Sequence, residues 1–350
     1  MFKYHLDDVE WGEFFVLELF SFIERGRRLK VEDRKYGETP FITAGESDNG
    51  IGSFVGNKSQ KSYNKAITID MFGNAFFQKS EFKCDDNITV LQNGVFSDEI
   101  YLFLTSRLNV LSCKYSYGKQ LRVNRLARDK IMLPAYKDGH PNWHFMQEYI
   151  RERKNKQRQE LKGYYEKRLL DLFLCPEMLT DVEWGEFFIG GVDGVFEVRG
   201  TITTHPSKLN KNGLIPRITC AATNNGLEGF YDNLPTEKGG VLTVDSATIG
   251  YVSYQGSDFI ATDHVEKIRG KDNRRINKEV GLFLKTSIEN RSDSKYGYGY
   301  KFSQTRIKRQ KIMLPIDKNG DPNWSYMENF VKNIEQKQVD NVLKYLEERM

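Results

Sequence analysis

The sequence has little of what marks a catalyst, a metal site or a secreted scaffold. Its four cysteines, Cys84, Cys113, Cys175 and Cys220, stand far apart without a Cys-x-x-Cys pair, which excludes a zinc knuckle or disulfide framework and fits a reducing cytoplasm. The histidines His5, His140, His144, His205 and His264 show no metal-ligand spacing. There is no Pro-Pro pair, so the Asn/Asp-Pro-Pro-aromatic motif of adenine methyltransferases is missing, and no Gly-x-x-x-x-Gly-Lys loop for ATP. One nuclease-like match, Asp70 with Glu81-Phe82-Lys83, has no counterpart in the second half and is set aside. No run of about 18 apolar residues occurs, and the N-terminus lacks the order of a signal peptide, so a soluble cytoplasmic chain is expected. Charge of one sign is lacking too: 52 Lys and Arg against 48 Asp and Glu leave a net +4, too little for a purely charge-driven nucleic-acid binder. No catalytic residue, cofactor or metal is expected.

What is there is a repeat. The 350 residues, 39% hydrophobic, suffice for two or three domains. Val9-Glu10-Trp11-Gly12-Glu13-Phe14-Phe15 recurs without change as Val182-Glu183-Trp184-Gly185-Glu186-Phe187-Phe188. Ile42-Thr43-Ala44 to Asn49-Gly50-Ile51 answers to Ile218-Thr219-Cys220 to Asn225-Gly226-Leu227, and Ile67-Thr68-Ile69-Asp70 to Leu242-Thr243-Val244-Asp245. Leu102-Phe103-Leu104 matches Leu282-Phe283-Leu284, read as strand-like, and Lys114-Tyr115-Ser116-Tyr117-Gly118 matches Lys295-Tyr296-Gly297-Tyr298-Gly299. The longest match runs from Lys130-Ile131-Met132-Leu133-Pro134 to Pro141-Asn142-Trp143, and again from Lys311-Ile312-Met313-Leu314-Pro315 to Pro322-Asn323-Trp324. Between these anchors the halves differ freely, as expected of one scaffold carrying two different contents.

Short segments rich in Ile, Val, Phe, Tyr and Thr, separated by Gly, Asn and Asp, predict β-strands within each unit. Residues 142–173 and 323–350 contain almost no Gly or Pro and predict one long helix each, with Asn142 and Asn323 as N-caps. Along them Tyr149, Ile150, Leu161, Tyr164 and Tyr165 answer to Phe330, Val331, Val342, Tyr345 and Leu346, one stripe that needs a partner. The expected fold is α+β: two β-rich domains in tandem, spaced by two long helices paired as an antiparallel coiled coil, with Ile150, Leu161, Tyr164, Tyr165, Val331, Val342, Tyr345 and Leu346 in the pairing. A helix of this length spans roughly 45 Å, about 13 base pairs of B-DNA.

The WGEFF opening of each domain, the ITA/ITC segment before an Asn-Gly turn, the strand pair ending in Gln78 or Gln255, and KIMLP…PNW leading into a helix resemble the specificity subunits of type I restriction-modification systems and their type IIB relatives of the BcgI kind. The resemblance covers the whole chain, and its KIMLP…PNW element looks most like the type IIB branch. It implies two target recognition domains, residues 1–141 and 178–322, with spacer helices at 142–177 and 323–350. It implies a non-catalytic subunit that reads a bipartite, asymmetric site in double-stranded DNA. Adenine methylation and cleavage would fall to partners: methyltransferase (modification) subunits, with a restriction subunit or a fused nuclease.

Candidate DNA contacts follow from residue chemistry. Arg122, Arg125, Arg128 and Lys130, and Lys301, Arg306, Lys308, Arg309 and Lys311, can neutralise phosphates or grip guanine, and can equally form a solvated strand face. Lys114 and Tyr115, with Lys295 and Tyr296, occupy Gly- and Tyr-rich loops; contact or plain turn both fit. Asn49, Asn224 and Asn225 could read adenine, or serve only as turn residues. Trp11 and Trp184 are expected in the core, and Trp143 and Trp324 at the seat of each helix. Arg151, Arg153, Lys154, Lys156 and Arg158 make the first helix basic, facing DNA, an acidic partner or solvent. A tandem β-domain lectin or peptide-binding module is the competing interpretation, but two long paired helices are hard to explain there.

Overall fold

The computed structural model describes residues 3–172, 182–247, 249–271, 275–292, 295–297 and 299–348. Cys175, Tyr298 and the expected domain boundary at 177/178 lie outside the described residues. By contacts the chain divides into two compact units between Leu161 and Lys162.

In the first unit the strands are β1 (Trp11–Phe15), β2 (Phe22–Arg25), β3 (Thr39–Ile42), β4 (Ile51–Val55), β5 (Ala66–Asp70), β6 (Ala75–Gln78), β7 (Lys83–Cys84) and β8 (Ile88–Gln92). Helices α1 (Asp98–Leu108) and α2 (Val123–Leu126) precede β9 (Lys130–Pro134), and α3 (Trp143–Leu172) follows. The second unit repeats the series as β10 (Trp184–Phe188), β11 (Phe196–Gly200), β12 (Ile215–Ile218), β13 (Leu227–Tyr231), β14 (Val241–Asp245), β15 (Val252–Gln255), β16 (Ile260–Ala261), β17 (Val265–Gly270), α4 (Lys278–Ser292), α5 (Gln304–Arg309), β18 (Lys311–Pro315) and α6 (Trp324–Glu347). Each unit is therefore mixed α and β. Among the described residues no helix is long and apolar enough to cross a membrane.

Sheet order is the same in both. WGEFF pairs antiparallel with KIMLP, β1 with β9 and β10 with β18, at one register: Trp11 faces Pro134 and Trp184 faces Pro315. A four-stranded sheet runs β2-β8-β5-β6, answered by β11-β17-β14-β15, and a three-stranded sheet runs β4-β3-β7, answered by β13-β12-β16. In the last, the outer pair is parallel and the hairpin carries a bulge at Phe41/Ile42 or Arg217/Ile218.

The central strands β5 and β14 are buried at every position. This explains why AITID and VLTVD lack a polar face: each is covered on both sides. Ile67 and Ile69 enter a large core with Val16, Leu91, Leu104, Leu133 and Met146, while Ala66, Ile88 and Val90 face a smaller one with Ile42, Tyr63 and Phe82. Leu242 and Val244 join Val252, Leu284, Leu314 and Met327 in the second unit, and Val241 faces Ile218 and Phe259.

Two expectations are corrected. The Leu102-Phe103-Leu104 and Leu282-Phe283-Leu284 segments are helical, not strand-like. A three-residue apolar run cannot distinguish the two; the wider pattern does. Ile100, Phe103, Leu104 and Leu108 are buried at helical spacing, Ser97 Oγ caps the amide of Ile100 at 3.3 Å, and Asp98 and Glu99 face the positive end of the helix. Trp184, expected in the core, is 48% exposed and stacks on Phe283. Its counterpart Trp11 packs against the core because its indole nitrogen donates to the Leu6 carbonyl at 3.1 Å and the Arg107 guanidinium lies 5.2 Å over its ring. The position of Arg107 is taken by the short Ser287 in the second unit.

Candidate functional site

Each Asn-Gly turn is built the same way. Asn49, Asn224 and Asn225 all have positive φ, near +50°, a conformation asparagine tolerates and most residues do not. A buried glutamine fastens each turn to the sheet behind it. Gln78 Nε2 donates to the Asn49 carbonyl at 2.8 Å and to Thr68 Oγ1 at 3.1 Å; Gln255 Nε2 donates to the Asn225 carbonyl at 3.1 Å and to Thr243 Oγ1 at 3.0 Å. All three are exposed; the Asn225 side chain donates to the Tyr254 carbonyl at 2.8 Å and that of Asn224 to the Leu227 carbonyl at 3.3 Å. These asparagines shape turns first.

The Lys-Tyr pairs are internal fastenings as well. Lys114 Nζ lies 3.2 Å from the Asp129 carboxylate, to which the Tyr115 hydroxyl also donates. Burial, then that carboxylate, pushes the Tyr115 phenol above its ordinary range. In the second unit Gln310 replaces the aspartate: Lys295 Nζ and the buried Tyr296 hydroxyl both donate to its Oε1 at 2.9 Å.

Of the arginines before KIMLP, Arg125 lies on the short helix α2, with Arg122 at its N-cap and Arg128 just past its end, and Arg306 and Arg309 lie on α5; none is on a strand face. Arg125 donates to the Gln120 carbonyl at 2.5 Å and its counterpart Arg306 to the Lys301 carbonyl at 2.6 Å, with the Arg306 guanidinium 3.7 Å over the Tyr300 ring. Arg122 donates to Gln120 Oε1 at 2.5 Å and Lys308 to Gln304 Oε1 at 3.0 Å. Arg125, Arg128 and Arg309 are exposed and offer cationic surface.

A third feature escaped the sequence. Asn57 and Asn233, both two residues past the end of the β4 or β13 strand, are paired clamps. Asn57 Nδ2 donates to the Asp33 carbonyl at 2.9 Å while its Oδ1 accepts from the Lys35 amide at 2.8 Å. Asn233 Nδ2 donates to the Lys208 carbonyl at 2.8 Å while its Oδ1 accepts from the Asn210 amide at 3.0 Å. The backbone adds an equivalent bond in each: Gly56 amide to Lys35 carbonyl at 2.8 Å, and Asp232 amide to Asn210 carbonyl at 2.7 Å. The signal was an asparagine at the same offset from two strands, in segments otherwise unlike each other.

Of the helix-pairing residues, Ile150 and Val331 pack against the cores of their own units. Leu161, Tyr164 and Tyr345 are exposed, Tyr165 and Val342 half-buried, and Leu346 buried. Within the second unit the last turns of α3 meet α6 through Arg168 and Glu335 at 2.7 Å and Lys162 and Glu347 at 3.1 Å. The Arg168 guanidinium holds the Glu335 carboxyl below its usual range. Lys154 of the basic stretch on α3 pairs with Glu99 at 2.7 Å.

The nuclease-like set is dismantled by its contacts. Asp70 caps its own turn, accepting from the amides of Phe72 at 2.8 Å and Asn74 at 2.9 Å, and Lys83 Nζ is buried against the Asn57 carbonyl at 2.6 Å. Burial pushes the Cys84 and Cys220 thiols up to about 12, which leaves both protonated and unreactive at neutral pH. Among the described residues no group of three His, Cys, Asp or Glu side chains could hold a metal ion.

Among the described residues the arrangement is two equivalent frames with unlike loops. Comparison with known proteins agrees with that picture. The family model described as "Type I restriction modification DNA specificity domain" matches residues 8–163 and again 181–345. The chain is 26% identical over 340 residues, 95% of its length and 96% of the relative's, to the specificity subunit S.BcgI of a type II restriction enzyme from Heyndrickxia coagulans. Its fold is similar to the crystal structure of the type I restriction-modification S subunit from M. genitalium, with TM-score 0.52 and 13% identity, covering 98% of this chain and 93% of that one.

Proposed function

Because the chain belongs to the type I restriction-modification DNA specificity domain family, which matches both of its units, we propose that it is the DNA-recognition subunit of a restriction-modification complex. It reads a bipartite, asymmetric duplex target, one half-site per unit, and directs adenine methylation and cleavage by partner subunits. The observation that carries this is the duplicated frame: identical sheet order and register around turns and loops of different sequence. Two equivalent readers with unlike contents suit two unlike half-sites.

Within that reading, residues 1–141 and 178–322 are the recognition domains, and residues 142–177 and 323–350 the spacers. The Arg168–Glu335 and Lys162–Glu347 pairs support an antiparallel helix pair, since partner numbers fall in α6 as they rise in α3. The exposed Arg125, Arg128 and Arg309 are candidates for phosphate contact, with Arg122, Arg306 and Lys308 beside them. Lys114, Tyr115, Lys295 and Tyr296 act by holding those helices, and Asn49, Asn224 and Asn225 by shaping the turns. Methyltransferase subunits, and a restriction subunit or fused nuclease, supply the chemistry this chain lacks.

The test is to methylate genomic DNA with the chain and its candidate modification partner, then map modified adenines. The expected outcome is a two-part asymmetric motif with a fixed gap. Absence of DNA binding, by the chain alone and with its partner, would sink the reading.

A further inference from the structure

The loops held by the asparagine clamps, residues 26–38 between β2 and β3 and residues 201–214 between β11 and β12, differ in sequence between the two units while being fixed alike. Each approaches its clamp through a short 3-10 turn, Val31–Asp33 or Pro206–Lys208. Each then meets the end of its neighbouring strand so closely that only glycine fits: a Cβ on Gly37 would lie 2.4 Å from Gly56, and one on Gly213 2.0 Å from Tyr231.

Every bond of the clamp goes to backbone. The clamp therefore fixes the path of the loop without constraining its side chains, and those side chains share almost nothing. Residues 26–38 carry Arg27, Arg28, Lys30, Arg34 and Lys35 against Glu32, Asp33 and Glu38; residues 201–214 carry Lys208 and Lys211 and no carboxylate. Both are net cationic, and Arg27, Arg28, Lys35, Lys208 and Lys211 are exposed. Each loop also holds a large apolar or aromatic side chain out in water, Tyr36 at 96% and Leu214 at 88% exposure. Cations beside an exposed ring or aliphatic group are what a loop needs to grip phosphate and touch a base edge at once.

Further ties hold each loop onto the three-stranded sheet by its backbone. In the first unit Gln60 Nε2 donates to the Arg27 carbonyl at 2.7 Å and Asp85 accepts from the Leu29 amide at 3.1 Å. In the second, the buried Arg217 donates to the Thr204 carbonyl at 3.1 Å and Glu237 accepts from the Ile202 amide at 2.6 Å. Such fixing lowers the ordering cost at binding.

We propose that residues 26–38 and 201–214 are a pair of DNA-contacting loops, one for each half-site, and that Asn57 and Asn233 are the positioning residues that set their register. The assignment rests on the chain being a DNA-specificity subunit, and it adds Arg27, Arg28, Tyr36, Lys208, Lys211 and Leu214 to the contact surface.

The experiment is selection from a randomised duplex pool by the full chain assembled with its partner subunits. Asn57→Ala and the surface double variant Arg27→Ala/Arg28→Ala degrade one half of the selected motif and leave the other intact. Asn233→Ala and Lys208→Ala/Lys211→Ala degrade the opposite half. Affinity for the wild-type motif falls about tenfold in each, the scale of a single mismatched base pair. In the two surface variants the slope of log affinity against log salt falls by about 2, one per lost phosphate contact. A purely structural role would leave the salt slope unchanged, and that result in the surface variants overturns the proposal. A wild-type motif selected unchanged by all four variants overturns the loop assignment alone. A wild-type complex that selects no motif overturns the reading of the chain, and the loop assignment with it.

Discussion

At the scale of single residues, most of the polar side chains that stand out in the sequence serve the frame. Gln78 and Gln255 each use one amide nitrogen to join a turn of positive φ to a threonine on the central strand. Removing either amide leaves a part-buried carbonyl and a buried hydroxyl without their donor, which costs roughly 1–3 kcal/mol. Gln255→Ala is expected to lower the urea midpoint by that amount, and Gln78→Ala to do the same in the other unit; a loss under about 0.5 kcal/mol would mean the glutamine is replaceable by solvent. The buried cations show how two copies diverge under one constraint. Phe41 faces Lys83 across β3 and β7, whereas Arg217 faces Ile260 across β12 and β16, so each pair keeps one cation and one apolar group on opposite strands. Neither cation is recognisable as buried from its sequence surroundings, because the partner that accepts its hydrogen bond, Asn57 or Thr204, is distant in the chain.

Among the elements, the long helices were legible and the short ones were not. Asn142 Oδ1 accepts from the Phe145 amide at 2.9 Å and Asn323 Oδ1 from the Tyr326 amide at 3.0 Å, the caps that the Pro-Asn-Trp motif predicts. Asn142→Ala and Asn323→Ala are each expected to destabilise by about 1 kcal/mol. Followed by circular dichroism, that is a melting shift of about 2–4 °C, and no shift would show that water replaces the cap. The cores of helices α1 and α4 read as strands because three apolar residues in a row carry no period; the wider spacing and, for α1, the Ser97 cap carry the helix signal. The arginine clusters misled in a similar way: charge alone does not say whether α2 and α5 are helices or strands, and the carbonyls they cap lie in the preceding turns.

For the whole molecule, the duplicated object is a reader with a helix attached. If α3 sets the gap between half-sites, inserting four residues after Leu161 lengthens it by about 6 Å, on the order of one to two base pairs. Adenine mapping with the lengthened chain is expected to return the same two half-sites with a wider gap; an unchanged gap would show that the helix does not measure it.

The sequence by itself determined the duplication, the repeated WGEFF and KIMLP anchors, both long helices and their caps; that the anchors pair with each other is seen only in the fold. The duplication, anchors, helices and caps are local or repeated signals, carried by period, by capping chemistry and by identity between copies. Tertiary structure alone decided which polar residues are scaffold and which are left exposed. That division depends on hydrogen bonds between residues far apart in the chain: Gln255 with Asn225, Tyr296 with Gln310, and above all Asn57 and Asn233 with the loops they clamp. A hydrogen bond of that kind leaves no period in the sequence, because its two ends are brought together only by the sheet between them.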